Sequence, residues 1–161
     1  MPPILRKPQS QQELQKIVEL DRLCLGGLWS LDGYQRELDN PNSVLLTLVE
    51  GDMTVGCGCF WSILEEAHIT MLAIHPDYQD QGLGSFLLCS LLKEAHFRGL
   101  ERATLEVRVS NIKAIYLYEK FNFKTAGKRN KYYSDGEDAL ILWRGDLSRD
   151  SFLESLSFCM L

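Results

Sequence analysis

Leu72-Ala73-Ile74-His75-Pro76-Asp77-Tyr78-Gln79-Asp80-Gln81-Gly82-Leu83-Gly84 is the stretch on which the fold turns. An apolar strand pattern ends at His75-Pro76, and a glycine loop leads directly into a second apolar period. Phe86, Leu87, Leu88, Leu91, Leu92 and Ala95 recur at helical spacing, which predicts a helix from about Gly82 to Arg98, stopped by Gly99. Arg102 to Arg108 then reads as a strand, with Ala103-Thr104-Leu105-Glu106-Val107 alternating around one charge. Strand, loop, helix, strand is a crossover unit, so its two strands are expected to be parallel. A glycine loop at a helix start offers free backbone N–H groups and the positive end of a helix dipole, a ready site for an anion. A lone Gly-x-Gly more often marks an ordinary turn. A P-loop is excluded because Gly84 is followed by Ser85-Phe86 instead of Lys-Ser/Thr. A dinucleotide loop is excluded because Leu87 stands where its third glycine belongs.

Upstream, Ile4 to Arg6 suits a short strand, and Leu14, Ile17, Val18, Leu20 and Leu23 predict a helix over Gln11 to Cys24, ended by Gly26-Gly27. Ser30 is a candidate N-cap for a short helix to Leu38. Ser43 to Glu50, Thr54 to Leu64 and Ala67 to Ile74 read as an antiparallel meander, with Gly56 and Gly58 marking a bulge or a close backbone approach. Downstream, Asn111 caps a helix to about Phe121. Phe123 to Tyr132 and Ala139 to Trp143 form two closing strands around Ser134-Asp135-Gly136. Asp150 to Leu161 is a mixed tail whose Phe152, Leu153, Leu156, Phe158 and Leu161 can pack on the domain or on a partner.

The chain has 161 residues, enough to bury a core without staples. Its formal charge of −5 argues against a general nucleic-acid binder. No apolar run approaches the length of a membrane span, and Met1 to Ser10 lacks the apolar stretch of a signal peptide. Five cysteines with no paired spacing (Cys24, Cys57, Cys59, Cys89 and Cys159) are expected to be reduced thiols in a cytoplasmic protein. His68, His75 and His96 lack metal-ligand spacing, so no metal is expected.

Gln79-x-x-Gly82-x-Gly84, within the full run from Leu72, resembles the acyl-CoA pyrophosphate loop of the GNAT family of N-acetyltransferases. Leu105-Glu106-Val107-Arg108, Ser110-Asn111, Ala114-Ile115-x-Leu117-Tyr118-Glu119, Phe121-x-Phe123 and Tyr132-Tyr133 resemble the bacterial branch that acetylates ribosomal-protein alanine termini. The likeness runs from about residue 3 to residue 147, implying one transferase domain over 1–147 and a C-terminal tail over 148–161. It implies a mixed α/β fold: a mostly antiparallel sheet of about seven strands with four helices, its parallel pair splayed at the acyl-CoA site. Asp80 departs from the family's usual Arg or Gly and is expected to face solvent. Leu28-Trp29-Ser30 resembles a Pro-Trp-Ser element on the peptide-binding side, with Leu28 replacing the proline.

The resemblance also implies roles. Acetyl-CoA is the cosubstrate. Backbone groups of Leu72, Ala73 and Ile74 pair with its pantetheine arm and polarise the thioester carbonyl. Asp80, Gln81, Gly82, Leu83, Gly84 and Ser85 hold the pyrophosphate, and Asn111 contacts the arm besides capping its helix. Glu106 deprotonates the incoming amine, directly or through water, and partial burial that raised its pKa would make it a better base. Without the resemblance, a solvated face for Glu106 and a core role for Tyr118 are the plainer readings. Tyr118 protonates the coenzyme A thiolate. His68 and His75 are read as structural, Cys89 as buried, and Tyr132 and Tyr133 as walls of a peptide slot. An α-amino group, with a pKa of ~7.7–8.0, is deprotonated roughly 300-fold more often than lysine at neutral pH.

The reading that follows is acetyl transfer to a protein N-terminus by direct attack in a ternary complex. The expected acceptor is the alanine of a small-subunit ribosomal protein, and the enzyme is expected to be a monomer or weak dimer. A transferase for small amines or lysine side chains, and an acyl-CoA sensor without turnover, stand as alternatives.

Overall fold

The computed structural model describes residues 2–159. Seven strands form one sheet: β1 (Ile4–Arg6), β2 (Ser43–Glu50), β3 (Met53–Ile63), β4 (Glu66–Ile74), β5 (Arg102–Arg108), β6 (Lys124–Arg129) and β7 (Ala139–Arg144). Their spatial order is β1-β2-β3-β4-β5-β7-β6, antiparallel at every junction except β4–β5, which is parallel. The helices are α1 (Gln11–Leu25), α2 (Leu31–Asp39), α3 (Leu83–Phe97), α4 (Ile112–Lys120) and the short α5 (Phe152–Ser155).

The local chemistry explains the element ends. Ser10 and Ser30 accept hydrogen bonds from the backbone N–H groups of Glu13 (3.2 Å) and Gly33 (3.1 Å), capping α1 and α2. Gly26, at φ +78°, stops α1 in the left-handed conformation that glycine tolerates. Asn111 caps α4 by accepting from the N–H of Ala114 at 3.2 Å. A close approach accounts for Gly58: a Cβ there would stand 2.9 Å from Leu91 of α3. The sheet bulges one step on, where Thr70 of β4 is the extra residue opposite Cys59 and Phe60.

Each face of the sheet carries its own core. On one, α1 and α2 bury Leu14, Ile17, Val18 and Tyr34 against Leu45, Cys57, Cys59 and Met71; Leu23 of the predicted stripe is exposed. On the other, α3 lays Leu88, Leu91 and Leu92 on Phe60, Ile69, Ala103 and Leu105. The extra residue lets Ala67 and Ile69 of β4 face the α3 core and Met71 and Ala73 the α1–α2 core.

Two expectations change. The strand predicted to reach Tyr132 ends at Arg129, because β6 runs out of partner at Arg129↔Ala139 and Lys131 turns the chain at φ +51°. Tyr132 and Tyr133 therefore sit on a loop. The cysteines are not all free: Cys89 and Cys159 form a disulfide. They lie 70 residues apart, so only the return of the tail across α3 reveals the pairing. Cys24, Cys57 and Cys59 are free thiols.

The tail packs on the second core through Leu147, Phe152, Leu156 and Cys159. Phe158 lies over Phe121, with ring centroids 5.0 Å apart, and Leu161 lies outside the described residues. Arg144, 4% exposed, anchors this return. Its guanidinium donates to both oxygens of Asp146 (2.7 and 3.2 Å), to the Phe121 carbonyl (2.9 Å) and to the Ser155 hydroxyl (2.7 Å), and covers the Phe152 ring.

Arg144→Met is expected to lower stability by about 3 kcal/mol, since it strands a set of acceptors built around one buried cation. A urea midpoint measures this. Hydrogen bonding to Arg144 holds the Asp146 pKa below its ordinary value, so this stabilisation is present above about pH 4 and fades as pH falls through the folded-state pKa. The variant loses that part of the acid dependence.

Candidate active site

The parallel pair is joined only at its start, through Glu66↔Arg102, Ala67↔Ala103 and His68↔Thr104. Beyond His68, β4 continues along β3 to Ile74, and β5 continues along β7 to Arg108. The gap between them is a cavity of about 490 Å³ whose walls include Thr70, Leu72, Glu106, Asn111 and Tyr118. Toward α3 it shares Leu72, Asn111, Ala114 and Tyr118 with a cavity of about 340 Å³ that reaches Gly82, Gly84 and Ser85. Toward α2 it shares Leu28, Ile69, Thr70, Glu106 and Tyr133 with a chamber of about 230 Å³ walled by Trp29, Trp61, His68 and Tyr132. A continuous path thus runs through the sheet from the glycine loop to an aromatic chamber. A further cavity of about 430 Å³, between α1 and the β2–β3 hairpin, contains none of the predicted site residues.

The glycine loop has the backbone geometry of an anion cradle. Gly82 takes φ +80° as the N-cap of α3, and no side chain caps the helix. The first backbone bond of α3 is donated by Phe86 to the Gly82 carbonyl at 3.0 Å, so the N–H groups of Leu83, Gly84 and Ser85 have no helical acceptor. Asp80, also at positive φ (63°), turns its exposed carboxylate to Lys113 at 2.8 Å. The Gln79 amide donates to the Ile74 carbonyl at 3.0 Å and ties the loop to β4. Past His68, the β4 edge bearing Leu72, Ala73 and Ile74 has no β5 partner. An extended amide-bearing arm and a pyrophosphate are the groups that such an edge and cradle can bind.

Glu106 and Tyr118 reach the gap from opposite sides. Alternation along β5 buries Leu105 and Val107 in the α3 core and turns Glu106 to the α2 face. One carboxylate oxygen of Glu106 lies 2.7 Å from His68 Nε2, and the other lies 3.4 Å from Arg129 Nε. Hydrogen bonding to His68, with a smaller part from Arg129, outweighs partial burial and lowers the Glu106 pKa. The expected benefit of a burial-raised pKa is therefore not realised, because both carboxylate oxygens have polar partners. Tyr118 is buried on α4 beside Phe123, ring centroids 5.7 Å apart. Burial pushes its phenol pKa well up, so the hydroxyl keeps its proton.

The α1–α2 loop is held by a residue that sequence reading passed over. Asp21, fully buried, accepts from the N–H groups of Leu28 (2.7 Å) and Trp29 (3.0 Å) and from the Tyr34 hydroxyl (2.8 Å). Its only sequence signal is a charge on the buried stripe of an amphipathic helix. Reading also missed Arg129, Glu37 and the pairing of His68, which it treated as structural, with Glu106. Residues this far apart in the chain meet only through the sheet register. The carboxylates of the turns are paired: Glu65 and Glu66 with Arg102, Asp135 and Glu137 with Arg108, and Asp138 with Lys128. Among the described residues, no group of three or more His, Cys, Asp or Glu side chains is arranged to hold a metal.

Comparison with known proteins agrees with this geometry. Residues 14–123 match the acetyltransferase (GNAT) family. A Bacillus subtilis (strain 168) protein, provisionally named a [ribosomal protein bS18]-alanine N-acetyltransferase, is 36% identical over 135 residues, covering 82% of this chain and 89% of that one. The crystal structure of the ribosomal-protein-S18-alanine N-acetyltransferase from Escherichia coli superposes with a TM-score of 0.80 at 30% identity, covering 89% of this chain and 94% of that one. The fold is shared at 19% identity with the NatC complex bound to Gag peptide and CoA, with a TM-score of 0.81 over 90% of this chain and 99% of that one. By its fold, its glycine loop and its match along most of its length, the chain belongs to the GNAT family of acetyltransferases.

Proposed function

We propose that the protein transfers the acetyl group of acetyl-CoA to the N-terminal α-amino group of a protein, the alanine terminus of ribosomal protein bS18. One observation carries the mechanism: Glu106 and Tyr118, on opposite faces of the sheet, line the same cavity where β4 and β5 part. The acceptor and its target come from the names of the relatives.

The acceptor enters through the aromatic chamber and the thioester through the cleft beside α3. Leu83, Gly84 and Ser85 offer unbonded N–H groups to the pyrophosphate, with Asp80, Gln81 and Gly82 shaping the loop. The β4 edge from Leu72 to Ile74 and Asn111 line the path of the pantetheine arm. Glu106, ionised at neutral pH, accepts a proton from the amine, directly or through water. The nitrogen lone pair attacks the thioester carbonyl carbon, the C–N bond forms, and the C–S bond breaks. Tyr118 donates its proton to the departing thiolate. Burial of Tyr118 keeps its hydroxyl protonated, as an acid that must arrive with its proton requires.

Coenzyme A release is expected with a peptide that starts with free alanine, and not with the same peptide blocked at its N-terminus and carrying an internal lysine. Turnover of the lysine peptide, or of polyamines alone, would overturn the proposal. Glu106→Gln and Tyr118→Phe are each expected to lower kcat by about 100-fold or more while acetyl-CoA still binds. Because the Glu106 pKa is lowered from 4.5, kcat/KM is expected to climb with pH up to about 8, following the acceptor amine, with no inflection from Glu106 above pH 4.5. Gly82→Ala must take φ +80° with a Cβ, a strain of about 1–2 kcal/mol, and is expected to raise the acetyl-CoA Kd by about 10-fold in calorimetry.

A further inference from the structure

The tail returns to the end of the helix that carries Tyr118. The Tyr118 carbonyl accepts from the N–H groups of Phe121 and Phe123, both at 3.0 Å, so the helix end and the tyrosine share one backbone knot. Phe121 closes α4 and is wholly buried. Two contacts reach it from the tail. The Phe158 ring lies over its ring, centroids 5.0 Å apart, and Arg144 bridges its carbonyl to the Ser155 hydroxyl. Lys120, the last residue of α4, places its ammonium 5.6 Å from the Phe158 ring centroid. The tail has little helix to hold itself in shape: α5 is four residues long, followed by a 3-10 turn over Ser157–Cys159. Phe152 and Leu156 are buried, whereas Phe158 is 47% exposed and grips Phe121 from the edge of the core. The next residue is Cys159, and its bond to Cys89 fastens this turn to the middle of α3.

The surroundings of the two sulfurs suit either redox state. The Leu156 carbonyl lies 2.9 Å from Cys159 Sγ and 3.9 Å from Cys89 Sγ, an acceptor for a thiol S–H once the bond is open. Ribosomal proteins, the proposed acceptors, are made where thiol reductants prevail, and disulfides that form there are mostly transient or redox-sensing. We propose that Cys89 and Cys159 form a redox-operated clamp on α4: the closed bond holds Phe158 on Phe121 and keeps Tyr118 aligned, and its reduction slackens the helix end and slows acetyl transfer. Neither sulfur touches the reacting atoms, so the pair acts by positioning. A small dithiol supplies the electrons when local opening of the tail admits it. One of its sulfurs attacks as a thiolate, the Cys89–Cys159 bond breaks, and the released cysteine thiolate takes up a proton. The second sulfur of the reductant then displaces the other cysteine, which also takes up a proton, and closes the reductant's own disulfide. Two electrons pass to the protein, and exchange with oxidised glutathione runs the change backwards.

This inference rests on the proposed role of Tyr118, and its test separates the two. The native protein is equilibrated with oxidised glutathione or with dithiothreitol, and thiol blocking followed by mass spectrometry reads the state of the pair. In each state three quantities are measured: kcat with the alanine peptide, the acetyl-CoA Kd, and hydrogen exchange over residues 112–121. Opening the bond is expected to speed exchange in α4 by about 10-fold or more, with β3 unchanged. It is expected to lower kcat by about 10-fold, with the acetyl-CoA Kd within about 2-fold, and re-oxidation restores the rate. Cys89→Ser and Cys159→Ser are each expected to show the reduced rate and no response to dithiothreitol. In Tyr118→Phe, where no acid remains to misalign, the response of kcat is expected to vanish, which a general loss of stability would not produce. A pair that stays reduced in oxidised glutathione, or unchanged exchange in α4 on opening, overturns the clamp. Faster exchange with an unchanged kcat, or an equal fall of kcat in Tyr118→Phe, overturns its link to Tyr118. No turnover in either state, with exchange in α4 still faster on opening, overturns the acetyltransferase reading and leaves the clamp standing.

Discussion

The site depends on a hydrogen-bond ladder that stops. After His68↔Thr104, β4 and β5 exchange no further backbone bonds, although each remains in the sheet through its other neighbour. Strand twist explains why the gap can persist. Each half of the sheet is a complete antiparallel unit, so neither strand needs the other for its remaining partners. The opening passes through the sheet, which is why residues on opposite faces line one cavity. A helix packed over either face would not achieve this.

Around that gap, Glu106 and Tyr118 sit in two different electrostatic environments. Glu106 lies on the α2 side, with His68 and Arg129 on its two oxygens, and stays charged. Tyr118 lies on the α3 side, enclosed by apolar neighbours, and stays protonated. The sheet separates the two environments. The same separation suits a reaction in which one group removes a proton from nitrogen and another delivers one to sulfur.

The surroundings are stiffened from both ends of the chain. Asp21 ties the α1–α2 loop to α1, and Glu37 ties Trp61 to α2. On the other face, Arg144 and the Cys89–Cys159 disulfide draw the tail across α3, the helix that follows the glycine loop. Each anchor joins segments that are distant in sequence, and those joining charged groups are shielded from water, where such contacts are strongest.

The sequence by itself determined the elements and the chemistry of the loop. Helix periods, serine and asparagine caps and the glycine loop are local properties, set by side-chain spacing and backbone freedom within a few residues. Resemblance to a family added Glu106 and Tyr118, which residue type alone would have left as a solvated strand charge and a core tyrosine. Only the tertiary structure decided which groups meet. That His68 meets Glu106, that Asp21 holds the Trp29 backbone and Glu37 the Trp61 indole, that β6 stops short of Tyr132, and that Cys89 finds Cys159 all depend on register and on chain return. These are fixed by the burial of both sheet faces at once, a condition that no short window of sequence contains.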